Sequence, residues 1–145
     1  LGQQERAKEL LKQAVRNNHA EEECLREVGA VFNELGEDMD PETFIADIRR
    51  EIVKLNNRGV KLAQAGQLDE AVVLFEEAVE GMPGNKVVNL NAARVQLMFM
   101  QDKGIEKPRL LKVRNYLEQV SRTDPENPTL RRVRGMYEQL LGAGD

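Results

Sequence analysis

The residues Gly59, Gly66, Ala71, Phe75, Ala78 and Pro83, set in NNRGVKLAQAGQLDEAVVLFEEAVEGMPGN, constrain this chain more than any other feature. Small residues at helical spacing on both sides of a turn suit two helices that touch closely, because a bulkier side chain at the crossing would push them apart. The offsets from Ala71 through Phe75 and Ala78 to Pro83 recur twice. They pick out Ala7, Leu11, Ala14 and His19 upstream, and Val113, Leu117, Val120 and Pro125 downstream. A second template joins Leu25, Gly29, Phe32 and Gly36 to Leu55, Gly59, Leu62 and Gly66. Repetition of this kind predicts an all-α array of helical hairpins.

Apolar stripes at helical spacing place about seven helices. The first two run over about 3–17 and 20–35. The third is one long helix over 41 to about 65, with Asp40 as N-cap, Pro41 in its first turn, and Ile45, Ile48, Ile52, Leu55, Gly59 and Leu62 along one side. At 1.5 Å per residue it would be about 37 Å long. A break at Asn56 and Asn57 is the competing reading, since adjacent asparagines are poor helix formers. Helices over 67–81 and 86 to about 101 follow. Another is opened by Pro108 and closes at TDPENP, and the last runs over 128 to about 141.

A chain of 145 residues suits one domain, and 41% hydrophobic with 4% aromatic residues favours amphipathic helices over a sandwich of β-branched and aromatic strands. The formal charge of −4 argues against nucleic acid or an anionic membrane as partner. Residues 1–80 carry 10 basic and 18 acidic side chains, and residues 81–145 carry 11 and 7, so one end is acidic and the other mildly basic. Cys24 is the only cysteine and His19 the only histidine. That excludes an internal disulfide, a Cys–His dyad with a spare base, and a zinc site of the usual ligand count. No metal or cofactor is expected. The lone thiol fits a reducing compartment, no apolar run approaches the roughly 18 residues of a membrane span, and no signal segment opens the chain, so a cytoplasmic location is expected. The start at Leu1 rather than Met suggests a piece of a longer protein.

The spacing of Gly59, Gly66, Ala71, Phe75, Ala78 and Pro83 resembles the tetratricopeptide repeat (TPR), a helix-turn-helix unit of 34 residues. The resemblance is strongest over 52–85. The unit over 86–127 keeps Ala93 and Pro125, has Asn89 and Gln96 where apolar residues belong, and carries about eight extra residues around 101–108. The last helix keeps Gly135 and Gly142 but has Glu138 in a normally apolar place. The resemblance implies an α-α superhelix with a groove lined by the first helices of each hairpin, and a non-catalytic module that binds a protein or peptide. The phrase REIVKLNNRGVKLAQAGQLDEAVVLFEEAVEGMPGN, with VRNNH upstream and NLNAARV downstream, also looks like the repeat region of bacterial response regulators. That would imply a receiver domain ahead of this segment and an output that works by protein contact in two-component signal transduction.

Groove positions of the family map onto Asn56, Val60, Gln64, Leu90, Arg94, Met98, Arg132 and Met136. Asn and Arg there can hydrogen-bond a peptide backbone, and Met adapts to varied apolar side chains. The family's two-carboxylate clamp is only hinted at, by Asn91, Arg94 and Arg132, so capture of an EEVD-like C-terminal tail is not expected. The run Val95–Met100 reads either as an exposed partner surface or, more simply, as packing covered by the extra 101–108 segment. Arg131, Arg132, Arg134, Arg122, Lys112 and Arg114 form a basic cluster without interleaved aromatics, which reads as a solvated end face. Glu21, Glu22, Glu23, Glu76 and Glu77 read as helix-start and solvent-face acids, with no base, phosphate loop or metal set beside them. No catalytic constellation appears. The alternative to a binding module is a self-association unit forming a homodimer, favoured by the incomplete first repeat and by opposite charges at the two ends that suit stacking between copies; a dimer lost on substitution of Leu97 or Phe99 would favour it.

Overall fold

The computed structural model describes residues 40–143 and, upstream, Ala30, which is helical. Among the described residues the chain is helical with no strand. Five helices follow in order: α1 Pro41–Gln64, α2 Leu68–Gly81, α3 Lys86–Lys103, α4 Lys107–Thr123 and α5 Pro128–Ala143. Five of the seven expected helices are therefore present. The two expected over 3–35, with His19, Cys24 and the repeat positions around Gly29, lie outside the described residues apart from Ala30.

Local chemistry sets the boundaries. Asp40 caps α1 by accepting from the Glu42 N–H and from the Thr43 hydroxyl, and Pro41 fills the first turn. At the other end Gly66, at φ +80°, lets its own N–H reach Ala63 O while the Gln67 N–H reaches Leu62 O, a paired C-terminal closure that needs a left-handed residue. Asn85 caps α3 through Val88 N–H at 3.0 Å. Asn127 caps α5 by accepting from Thr129 and Leu130. The Asn127 amide also donates to Asp124 Oδ2 at 3.0 Å, and with Lys86 it holds that carboxyl below the usual range against the opposing effect of burial.

The long helix is continuous through Asn56 and Asn57. A buried partner outweighs weak propensity there: Asn56 is 7% exposed and accepts from Asn91 Nδ2 of α3 at 3.1 Å. Two glycines then fix how closely α1 and α2 lie. A Cβ on Gly59 would stand 2.9 Å from Phe75 Cζ, and one on Gly81 would collide with Ile52 Cδ1. The flat Phe75 ring, 2% exposed, takes the space that Gly59 leaves. By contrast nothing lies within 4 Å of a Cβ built on Gly135, so the same template position in α5 is not a close crossing among the described residues.

Helix α3 sits at the centre and packs on the other four. This explains the apolar run over 95–100. Val95, Leu97, Phe99 and Met100 are buried, in one core with Phe75, Val113, Leu117, Leu130 and Val133. The extra segment does not provide that cover. Residues 101–108 are exposed throughout, α3 continues through 103, and the run is shielded by neighbouring helices instead. Leu97 and Phe99 are equally removed from any dimer surface, at 0% and 7% exposure.

Candidate functional site

Between α1 and α3 lies a cleft of about 100 Å³. Val60 and Gln64 stand one turn apart on α1, and Asn91, Arg94 and Met98 share one face of α3, as steps of three and four residues require. Phe75 of α2 contributes to the lining from below, because Gly59 lets its ring slide under α1. The result is an apolar cleft with polar groups beside it. Val60 and Met98 are half-buried, while Gln64 and Arg94 are exposed.

Four of the eight expected groove residues, Val60, Gln64, Arg94 and Met98, thus come together. The others do not join them. Leu90 is 5% exposed and belongs to the core, and Asn56 is buried against Asn91. Met136 packs on the core as a partly buried side chain, and Arg132 is exposed on α5 with its guanidinium on Thr129 Oγ1 at 3.2 Å. Neither lines the cleft. Of the residues that hint at a carboxylate clamp, Asn91 is engaged with Asn56, and only Asn91 and Arg94 line this site.

Electrostatically the cleft is simple. Its lining carries Arg94 and no carboxylate, and Arg94 makes no hydrogen bond or ion pair among the described residues. A free guanidinium beside apolar walls is suited to an anionic or carbonyl acceptor on a ligand whose apolar part enters the cleft. Three of the six members of the basic cluster read from the sequence are in ion pairs: Lys112 with Glu76, Arg114 with Glu118, and Arg131 with Glu126.

A second polar centre is not anticipated by the sequence pattern. Gln96 is 1% exposed, and its amide nitrogen donates to Glu76 Oε1 at 2.9 Å while its oxygen accepts from Arg109 at 2.8 Å. Lys112 also donates to Glu76 Oε1, Arg109 reaches Glu106 Oε2 at 2.8 Å, and its guanidinium lies 3.9 Å from the Phe99 ring centroid. Glu76 and Glu106 are therefore linked to cations of α4 rather than simply solvated. Burial, and secondarily the Glu76 charge, raises the nearby Tyr116 hydroxyl from 10.0 to about 12. The signal for this centre is a glutamine standing at an apolar repeat position. Asn89, the other such residue, is 1% exposed and donates to Pro83 O and Asn85 O, both at 2.8 Å. It ties the α2–α3 turn to α3.

Among the described residues no three His, Cys, Asp or Glu side chains gather as they would around a metal ion, and no helix is long and apolar enough to cross a membrane. No protein-family model matches this chain, and no curated protein or solved structure matches it either.

Proposed function

We propose that this chain is a non-catalytic protein-interaction module, built as a tetratricopeptide-type superhelix, whose cleft between α1 and α3 receives a peptide or helix of a signalling partner. The observation that carries the reading is the combination of half-buried Val60 and Met98 with an exposed Arg94, unpaired among the described residues, on one cleft. An apolar side chain of the partner displaces water from between α1 and α3, Met98 adjusts to its shape, and Arg94 and Gln64 fix the backbone or an acid beside it. Leu90 and Asn56 act indirectly by holding α1 and α3 at their spacing.

The further proposal, that the module is the output region of a response regulator in the cytoplasm, rests on sequence resemblance and on the lone cysteine. Affinity capture with the chain, repeated with Arg94→Ala and Met98→Asp, tests the binding reading. Loss of the same partner in both variants, with unchanged urea midpoints, supports it. Equal capture by all three proteins would remove the cleft from consideration.

A further inference from the structure

A second face of the molecule, between α2 and α4, carries charge of both signs. Of the exposed side chains on α2, Asp69, Glu70 and Glu77 surround Val73, which is 58% exposed, and the helix contains no Lys or Arg. Helix α4 is the reverse: its exposed Lys107, Lys112, Arg114 and Arg122 oppose Glu118 alone, and its Leu111 is 59% exposed. Each helix thus presents one large apolar residue within charge of a single predominant sign. The two signs are opposite.

These stripes share one face. A cleft of about 300 Å³ runs between them, with Val73 and Glu76 on one wall and Pro108 and Lys112 on the other, and the Glu76–Lys112 contact at 2.9 Å spans it. Such a face is self-complementary. A two-fold axis lying in the plane of that face, between the two helices, lays α2 of one copy over α4 of the next, and α4 over α2, so that each Val73 meets a Leu111 and each acidic stripe meets a basic one.

We infer that the α2–α4 face pairs with the same face of a second copy of this chain. The charge pattern selects this occupant over nucleic acid, which the acidic half would repel, and over a uniformly acidic or basic protein, which would suit only one helix. The pairs already present do not block it. Lys112–Glu76 and Arg114–Glu118 are half-exposed, and pairs of that kind exchange for equivalent ones at little cost. This pairing leaves the cleft between α1 and α3 on other residues, so each surface can be tested without the other.

Sedimentation velocity on the chain at tens of micromolar, in about 50 mM and about 500 mM salt, reads the association directly. The expected result is a dimer in low salt whose affinity falls in high salt. Val73→Lys sets a cation against the basic stripe of the other copy, and Leu111→Glu sets a carboxylate against the acidic one, so each variant alone loses at least about tenfold in affinity. Both positions are exposed, and circular dichroism and urea midpoints check that the fold is kept. The deciding sample is an equimolar mixture of the two weakened variants. In the mixed dimer the introduced cation faces the introduced carboxylate, and the other half of the interface is unaltered, so association returns. A chain that stays monomeric in low salt, a dimer indifferent to both substitutions, or a mixture no tighter than its components would each overturn the pairing.

Discussion

Gly59 and Phe75 form a matched pair: the absent side chain of the first is the space occupied by the ring of the second, and a Cβ at position 59 would stand only 2.9 Å from the Phe75 Cζ. A methyl group there has nowhere to go, since the ring is 2% exposed and held by the surrounding core. Helix propensity favours Ala over Gly by about 1 kcal/mol, but overpacking a buried site costs about 1–3 kcal/mol. Gly59→Ala is therefore expected to destabilise the chain by about 1–2 kcal/mol in urea unfolding. In the Phe75→Leu background the same change should cost less, and strict additivity of the two substitutions would show that the crossing is not the cause.

Removing Gln96 and removing its acceptor should have different consequences. Gln96→Leu deletes both hydrogen-bonding ends of a buried amide, while Glu76 keeps Lys112 and Arg109 keeps Glu106. Its expected cost is under about 1 kcal/mol. Glu76→Ala instead strands the Gln96 amide nitrogen in the core, and about 1–3 kcal/mol is expected. Urea midpoints of the two variants, compared at equal slope, decide the order.

Alkaline titration addresses Tyr116. Its hydroxyl is raised from 10.0 to about 12, so below pH 10 both folded and unfolded chains hold the proton and the associated stability is complete. Between pH 10 and about 12 the unfolded state releases its proton first, and stability falls until that contribution is gone. Phenolate absorbance should place one tyrosine near the upper value, and Tyr116→Phe should flatten the corresponding loss of stability. Glu76→Gln should lower the value only in part, because burial is the larger cause.

Arg109 offers a test of geometry against charge. Its Nε and Nη1 reach Glu106 and Gln96, both at 2.8 Å, while the guanidinium plane lies over Phe99. Arg109→Lys keeps the charge but cannot supply the fork and the stacked plane together. The variant is expected to lose about 1 kcal/mol, seen as a lower urea midpoint. A lysine variant equal to the parent would assign the effect to charge alone.

The sequence conveys the helices well because their determinants are local. Caps such as Asp40 and Asn85, the left-handed Gly66 and the small-residue spacing around Phe75 each act within one or two turns. The long helix through Asn56 is legible from its apolar stripe, although the reason it survives two asparagines lies 35 residues away at Asn91. What stays hidden depends on which helix lies opposite which. Leu90 reads as a groove residue and is core because α3 packs on four other helices. Residues 101–108 read as cover and are exposed because the neighbouring helices already supply it. Half of the expected groove set, Val60, Gln64, Arg94 and Met98, does line the proposed cleft. The relay through Gln96 is not visible in the sequence, since its partners on α2 and α4 come together only in the folded stack.

The bend after α3 has a practical use. Gly104, at φ +106° with nothing near a Cβ built on it, is followed by exposed Ile105 before Glu106 begins the turn into α4. The core closes without this segment, so the junction between Gly104 and Ile105 is a natural attachment point for a reporter group. A fluorophore or short tag inserted there would ride on the molecule outside its core.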